Sequence, residues 1–162
     1  MSINFFAAEC THRISNESFG LCDDQNNTRA HIDIHDETKW NAIVENKSNQ
    51  TITFVAIDHC IPIYKENGDE DTCCDGMLLH INGIIFIELK NKRFDWIDEG
   101  VEQLKHTICL FKDNHDLSCY KNKRAYLANK KHPQYNHSHK EMMRHFKTKL
   151  GVSLLIMNKI DI

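Results

Sequence analysis

The chain has 162 residues, 41% of them hydrophobic, enough to bury the core of one domain. Two prolines and six glycines exclude extended linkers and low-complexity tracts, and no apolar run approaches the ~20 residues of a membrane-spanning helix. The net charge of −3 is unevenly spread: residues 1–75 carry 14 acidic and 5 basic side chains, and residues 121–162 carry 10 basic and 2 acidic, so the basic end is the one suited to phosphate.

Residues 1–35 give a weak pattern and read as an N-terminal arm or extension. Phe5, Phe6 and Ala7 fit the start of a short helix, Asn16 to Thr28 a loop, and His31 to His35 a short alternating strand. Asp36 to Glu45 reads as a helix with Trp40, Ile43 and Val44 on one side. Gln50 to Ile57 is rich in β-branched residues and predicts a strand. Asp58 to Thr72 is a polar loop with an acidic cluster at Glu66, Asp69, Glu70 and Asp71.

The clearest element runs from Asp75 to Lys90. Two apolar runs, Met77–Ile81 and Ile84–Leu89, flank Asn82-Gly83, the strongest short hairpin signal. Asp95 to Phe111 predicts a helix, with Asp95 as its cap and Ile97, Val101, Leu104, Ile108 and Phe111 as its apolar stripe. Tyr120 to Asn129 predicts a basic strand. Ser138-His139-Lys140-Glu141 has the form of a capping box, opening a helix that Gly151 stops. Val152 to Met157 suits a buried strand. Beyond residue 50 the expected order is therefore β, β, β, α, β, α, β.

Seven cysteines are an odd number. The expectation is reduced thiols in a cytoplasmic protein. Paired CxxC knuckles, the strong signature of structural zinc, are absent from the sequence.

With Asn82-Gly83 as a two-residue turn, Met77 faces Glu88 and Asp75 faces Lys90. Side-chain alternation then puts Asp75, Met77 and Leu79 on one face with Phe86, Glu88 and Lys90. Two carboxylates and a lysine gather at the open end of the hairpin, while Ile85, Ile87 and Leu89 point into the core behind it. Two carboxylates suit a hard cation such as Mg²⁺, and a lysine beside them suits developing negative charge.

Cys74-Asp75 followed by Glu88-Leu89-Lys90 resembles the motif of the PD-(D/E)XK nuclease superfamily, the restriction-endonuclease-like fold. The resemblance covers roughly residues 36–157. It implies an α/β core, α-β-β-β-α-β-α-β, with a central mixed sheet flanked by helices over residues 36–162. It further implies Mg²⁺ (or Mn²⁺) on Asp75, Glu88 and the Leu89 carbonyl, Lys90 as catalytic lysine, Gln103 as a further site residue from the following helix, and an acidic residue from the first helix, Glu45 or Glu37. Cys74 stands where the motif often has proline.

The expected activity is Mg²⁺-dependent hydrolysis of phosphodiester bonds by an endonuclease, with DNA favoured over RNA by the resemblance alone. Lys121, Lys123, Arg124, Lys130, Lys131, Arg144 and Lys147 are the candidate phosphate contacts, and no interleaving of aromatic and basic residues marks a base-stacking surface. The alternative is a catalytically silent protein of the same fold, or a nuclease subunit that needs a partner; a homodimer also fits the small size.

Overall fold

The computed structural model describes residues 2–132 and 139–162. The strands are β1 (Thr11–Ile14), β2 (Ser18–Cys22), β3 (His31–Asp33), β4 (Ala42–Glu45), β5 (Ile52–Ala56), β6 (Gly76–His80), β7 (Gly83–Lys90), β8 (Asn122–Asn129), β9 (Ser153–Ile156) and β10 (Lys159–Asp161). The helices are α1 (Ile97–Asn114) and α2 (Lys140–Leu150). The chain is mixed α/β, with a six-stranded sheet ordered β1-β5-β6-β7-β8-β9 and a four-stranded sheet ordered β10-β4-β2-β3. Both sheets combine parallel and antiparallel pairs. Among the described residues no helix is long and apolar enough to cross a membrane.

Alternation of side chains along the central meander creates two dry faces. Val55, Met77, Ile84 and Phe86 pack with Val101, Leu104, Ile108 and Phe111 of α1 and Phe146 of α2. Leu78, Ile85, Ile87 and Leu89 pack with Phe19, Leu21, Val44 and Ile160 of the second sheet. The layers are therefore helices, large sheet and small sheet. All eight residues of β7 are buried. At about 1.5–3 kcal/mol per buried large apolar side chain, β7 is the best-anchored platform available for a site.

From β5 through β9 the strand and helix order matches the sequence expectation; β10 was not expected. Gly151 stops α2 with φ 72°, the left-handed cap that glycine adopts without a side-chain penalty. Ser138 of the expected capping box lies outside the described residues; His139 holds the N-cap position.

Other expectations are corrected. Asp36 to Glu45 is not a helix. Asp36 caps a single 3-10 turn, Glu37–Lys39, by accepting from the Thr38 amide at 3.1 Å. Trp40 then turns extended, and β4 fills a slot between β2 and β10. Pairing on both sides, with β-branched Ile43 and Val44 in the strand, outweighs the local helical spacing. The leading helix expected from the resemblance is therefore absent here. Ser18–Cys22, expected as loop, is β2, and its Gly20 leaves room for the Trp40 ring, which a Cβ there would approach to 2.1 Å. In place of a helix from Phe5 there is a 3-10 turn at Ala8–Cys10. Residues 2–35 contribute to both sheets: β1 pairs with β5, β2 with β4, and Phe5 is fully buried.

The cysteines are not all reduced. Cys10 and Cys60 form a disulfide across a sequence separation of 50, while Cys22, Cys73, Cys74, Cys109 and Cys119 are free.

Candidate functional site

The β6–β7 hairpin turns one residue earlier on each side than expected. His80 pairs with Gly83 and Met77 with Phe86, so Asp75, just before β6, lies opposite Glu88 rather than Lys90. Neither Asn82 nor Gly83 has positive φ. The glycine serves a different need: β8 runs so close that a Cβ on Gly83 would lie 2.2 Å from the Asn122 carbonyl oxygen. The shift is one pair, two residues in register, so the parity of the faces is unchanged and the carboxylates still share the helix-covered face.

Glu88 and Asp75 are locked together through backbone. The Asp75 amide donates to Glu88 Oε2 at 3.2 Å, and the Leu89 amide donates to Asp75 Oδ2 at 2.7 Å. Asp75 Oδ1 has no protein donor among the described residues. Lys90 Nζ reaches Glu88 Oε1 at 3.0 Å, Glu99 Oε1 at 3.0 Å and Gln103 Oε1 at 2.6 Å. Asp75, Glu88 and Lys90 are 8%, 2% and 5% exposed, so this is a desolvated ionic cluster rather than a surface ion pair.

Gln103 and Glu99 reach Lys90 because α1 lies tight on the sheet. A Cβ at Gly100, on the turn between them, would stand 2.4 Å from Leu127 Cδ1 of β8. Asp95 does not cap α1; it has φ 55° and Trp96 takes the N-cap position. The Lys90 carbonyl is fixed by the Lys130 amide at 2.9 Å and by Asn41 Nδ2 at 3.2 Å. Asn41, 2% exposed, also accepts from the Asp23 amide at 3.0 Å, tying the small sheet to the site.

Burial, together with the neighbouring Glu88 charge, pushes the Asp75 carboxyl well above the usual carboxylate range. Burial also raises Glu88, and Lys90 only partly offsets it. Burial opposes the charge of Lys90, but Glu88 and Glu99 outweigh it and raise the pKa of the ammonium.

Asp58 and Glu99 are pocket residues that sequence reasoning missed, and Asp58 is the more deeply placed. It follows β5 at the end that adjoins the start of β6, with its amide donating to the Cys74 carbonyl at 3.3 Å. Burial raises its carboxyl too, and His59 Nε2 lies 3.2 Å from Asp58 Oδ2. The signal was available: an antiparallel meander puts the end of one strand beside the beginning of the next. Asp58, Asp75, Glu88, Lys90, Glu99 and Gln103 all line one pocket of about 180 Å³, with Asp23 on its rim.

The other candidates divide. Lys130 and Lys131 follow β8 directly beside Lys90. Lys121, Lys123 and Arg124 stand at the opposite end of β8, alongside Gly83–Ile85, roughly 20 Å away at 3.3 Å per residue. Arg124 lies over the Tyr126 ring and donates to its hydroxyl at 2.9 Å. Arg144 pairs with Glu141 on α2, and Lys147 lies near the Gly151 carbonyl at the end of that helix. Glu45 ends β4, four residues beyond Asn41, which at 3.3 Å per residue is about 13 Å from the contact with Lys90; Glu37 is in the exposed 3-10 turn. Neither joins the pocket.

Among the described residues no three His, Cys, Asp or Glu side chains form a ready metal-holding group. The donor chemistry nevertheless fits a magnesium-like ion, which binds through one or two carboxylates and keeps several waters. Two buried acids whose charge is disfavoured by burial are what such a cation relieves.

No family model matches the chain, and no curated protein or solved structure matches it either.

Proposed function

We propose that the chain is a metal-dependent nuclease of restriction-endonuclease-like type, acting on DNA phosphodiester bonds. The observation that carries this reading is the convergence of Asp75, Glu88, Lys90 and Gln103 from two strands and one helix on a single polar pocket. The β5-β6-β7-α1-β8 succession supports it as well. Asp75, Glu88 and the Leu89 carbonyl would hold Mg²⁺ or Mn²⁺. A divalent cation bound there supplies Lewis-acid charge to the phosphoryl oxygen and eases deprotonation of the attacking water.

The chain's own residues do the rest. Lys90, held by Glu88 and Gln103, presents its ammonium to the charge that builds on the phosphoryl group. Gln103 is a positioning residue: it accepts from Nζ and fixes where that charge sits. Water oxygen bonds to phosphorus, the bond to the 3′ oxygen breaks, and the water's proton ends on the 3′-hydroxyl. Cytoplasmic action is the reading that five free thiols favour and the Cys10–Cys60 pair opposes.

The test is cleavage of plasmid and single-stranded DNA with Mg²⁺ or Mn²⁺, against an EDTA control. Lys90→Ala is expected to lose about 10²–10³ in rate with the circular dichroism spectrum unchanged, and Glu88→Gln to lose metal-dependent cleavage. Cutting by Lys90→Ala at the parent's rate, or no cutting by the folded parent, would sink the proposal.

A further inference from the structure

We propose that the cleft beside Lys90, between residues 91–96 and the turn at 129–132, binds an unpaired stretch of single-stranded DNA, with one base stacked on Phe94. The cleft measures about 450 Å³ and is lined by Arg93, Phe94, Trp96 and His132, with Asp95 and Asp98 on its α1 side. Phe94 is 78% exposed, a large aromatic with no burial to justify it. Behind it the Trp96 and His132 rings stack at 6.0 Å and 10°, a preformed flat wall.

The surrounding cations are held in place by one buried side chain. Asn129, 1% exposed, accepts from the amides of Lys92 at 3.2 Å and Lys131 at 3.1 Å, and donates to the Lys92 carbonyl at 2.7 Å. His132 Nε2 lies 3.2 Å from the Arg93 carbonyl. These bonds clamp two loops into one unit that carries Arg93, Lys130 and Lys131, all exposed; Arg93 lines the cleft itself, and the two lysines belong to the turn that ends in its His132. Lys92 is partly engaged, pairing with Glu99 at 2.9 Å. Glu99 also holds Lys90 and lines the pocket, so the segment that follows Lys90 leads from the pocket directly to Arg93 and Phe94 of the cleft.

The occupant follows from this chemistry. A row of cations beside an exposed aromatic ring binds phosphates and stacks bases, and stacking needs a base that is not already paired. The acidic side chains Asp95 and Asp98 lie on the α1 side, so phosphates are expected on the side of Arg93 and of the turn that carries Lys130 and Lys131. Lys92-Arg93-Phe94-Asp95-Trp96 does interleave basic and aromatic residues, which corrects the expectation that the sequence holds no such stretch.

The orientation of the strand relative to Lys90 rests on the nuclease reading, but its binding does not, so binding is measured in EDTA, where no cleavage occurs. A labelled single-stranded DNA of about 15 nucleotides, longer than the cleft and within the usual site sizes, is titrated by anisotropy beside a duplex and an RNA of the same sequence. Phe94→Ala is expected to weaken single-strand binding about tenfold and Phe94→Trp to retain it. Lys130→Gln/Lys131→Gln is expected to reduce the salt slope by about 1.4. Unchanged binding by Phe94→Ala, or preference for duplex or RNA, overturns the inference. Phe94-dependent binding by a protein that cuts nothing supports the cleft and defeats the nuclease reading. Cutting by a protein whose DNA binding ignores Phe94 does the reverse.

Discussion

The Cys10–Cys60 disulfide provides a quantitative test of how the N-terminal strands are held. Cys10 directly precedes β1 and Cys60 follows β5, the strand with which β1 pairs. The bond thus closes the end of that ladder and tethers Asp58-His59 beside the pocket. With a sequence separation of 50, the chain-entropy relation gives about 4 kcal/mol of stabilisation through the unfolded state. Cys10 is 4% exposed, so Cys10→Ala/Cys60→Ala keeps an apolar contact and loses mainly the cross-link. With a urea dependence of about 2 kcal/mol per molar for a domain of this size, the unfolding midpoint is expected to fall by about 2 M. Two controls accompany it. Thiol titration of the unfolded, unreduced chain is expected to count five reactive cysteines out of seven, and reductant is expected to lower the parent's midpoint but not the variant's. Seven reactive thiols, or coincident midpoints, would refute the account.

Gly100→Ala is expected to cost about 1–3 kcal/mol through overpacking against Leu127, and Leu127→Ala is expected to restore part of it in a double-mutant cycle by thermal unfolding. Asp75→Asn is expected to raise the melting temperature at pH 7 while abolishing cleavage, because the folded carboxyl sits above its unfolded value and its charge destabilises the fold at neutral pH. In the native protein a thiol reagent is expected to modify Cys109 and Cys119, both exposed, and to spare Cys22 and Cys73, whose thiols burial pushes to about 11 and about 12. Asp33, whose carboxylate accepts from the His35 and Asp36 amides and the Trp40 indole, is lowered to about 2, chiefly by the Asp36 amide. Its contribution is complete above the unfolded value near 3.8 and is lost as pH falls through about 2, so the melting-temperature gap between parent and Asp33→Ala is expected to close over that window.

What was legible in the sequence was local and periodic. The 3.6-residue stripe of α1, the glycine stop of α2 and the β-branched runs of β5 and β7 each carry their instruction within a few residues. Residues 36–45 show the limit. Trp40, Ile43 and Val44 fit a helical face by spacing alone, but the decisive contacts are with Ser18–Leu21 before them and Lys159–Asp161 far behind. No pattern inside the segment records those partners. The Cys10–Cys60 pair was hidden for the same reason, since it depends on β1 pairing with β5 across the whole intervening small-sheet excursion.

The grouping of Asp75, Glu88 and Lys90 on one face was legible despite a wrong register because it rested on parity. A hairpin that shifts by one pair exchanges which residue is opposite which, yet Asp75, Glu88 and Lys90 keep to one face. What changed is the chemistry between them. Opposite Lys90, Asp75 would have been a simple ion-pair partner; opposite Glu88, it becomes the second member of a buried acid pair, with Lys90 beyond it and free to be taken up by Glu99 and Gln103. In the proposed nuclease the corrected register would therefore separate two roles that the expected one would have merged: an acidic end for a cation and a cationic end for transition-state charge. The cost is borne by the fold, since α1 must approach closely enough at Gly100 to hold that lysine in place.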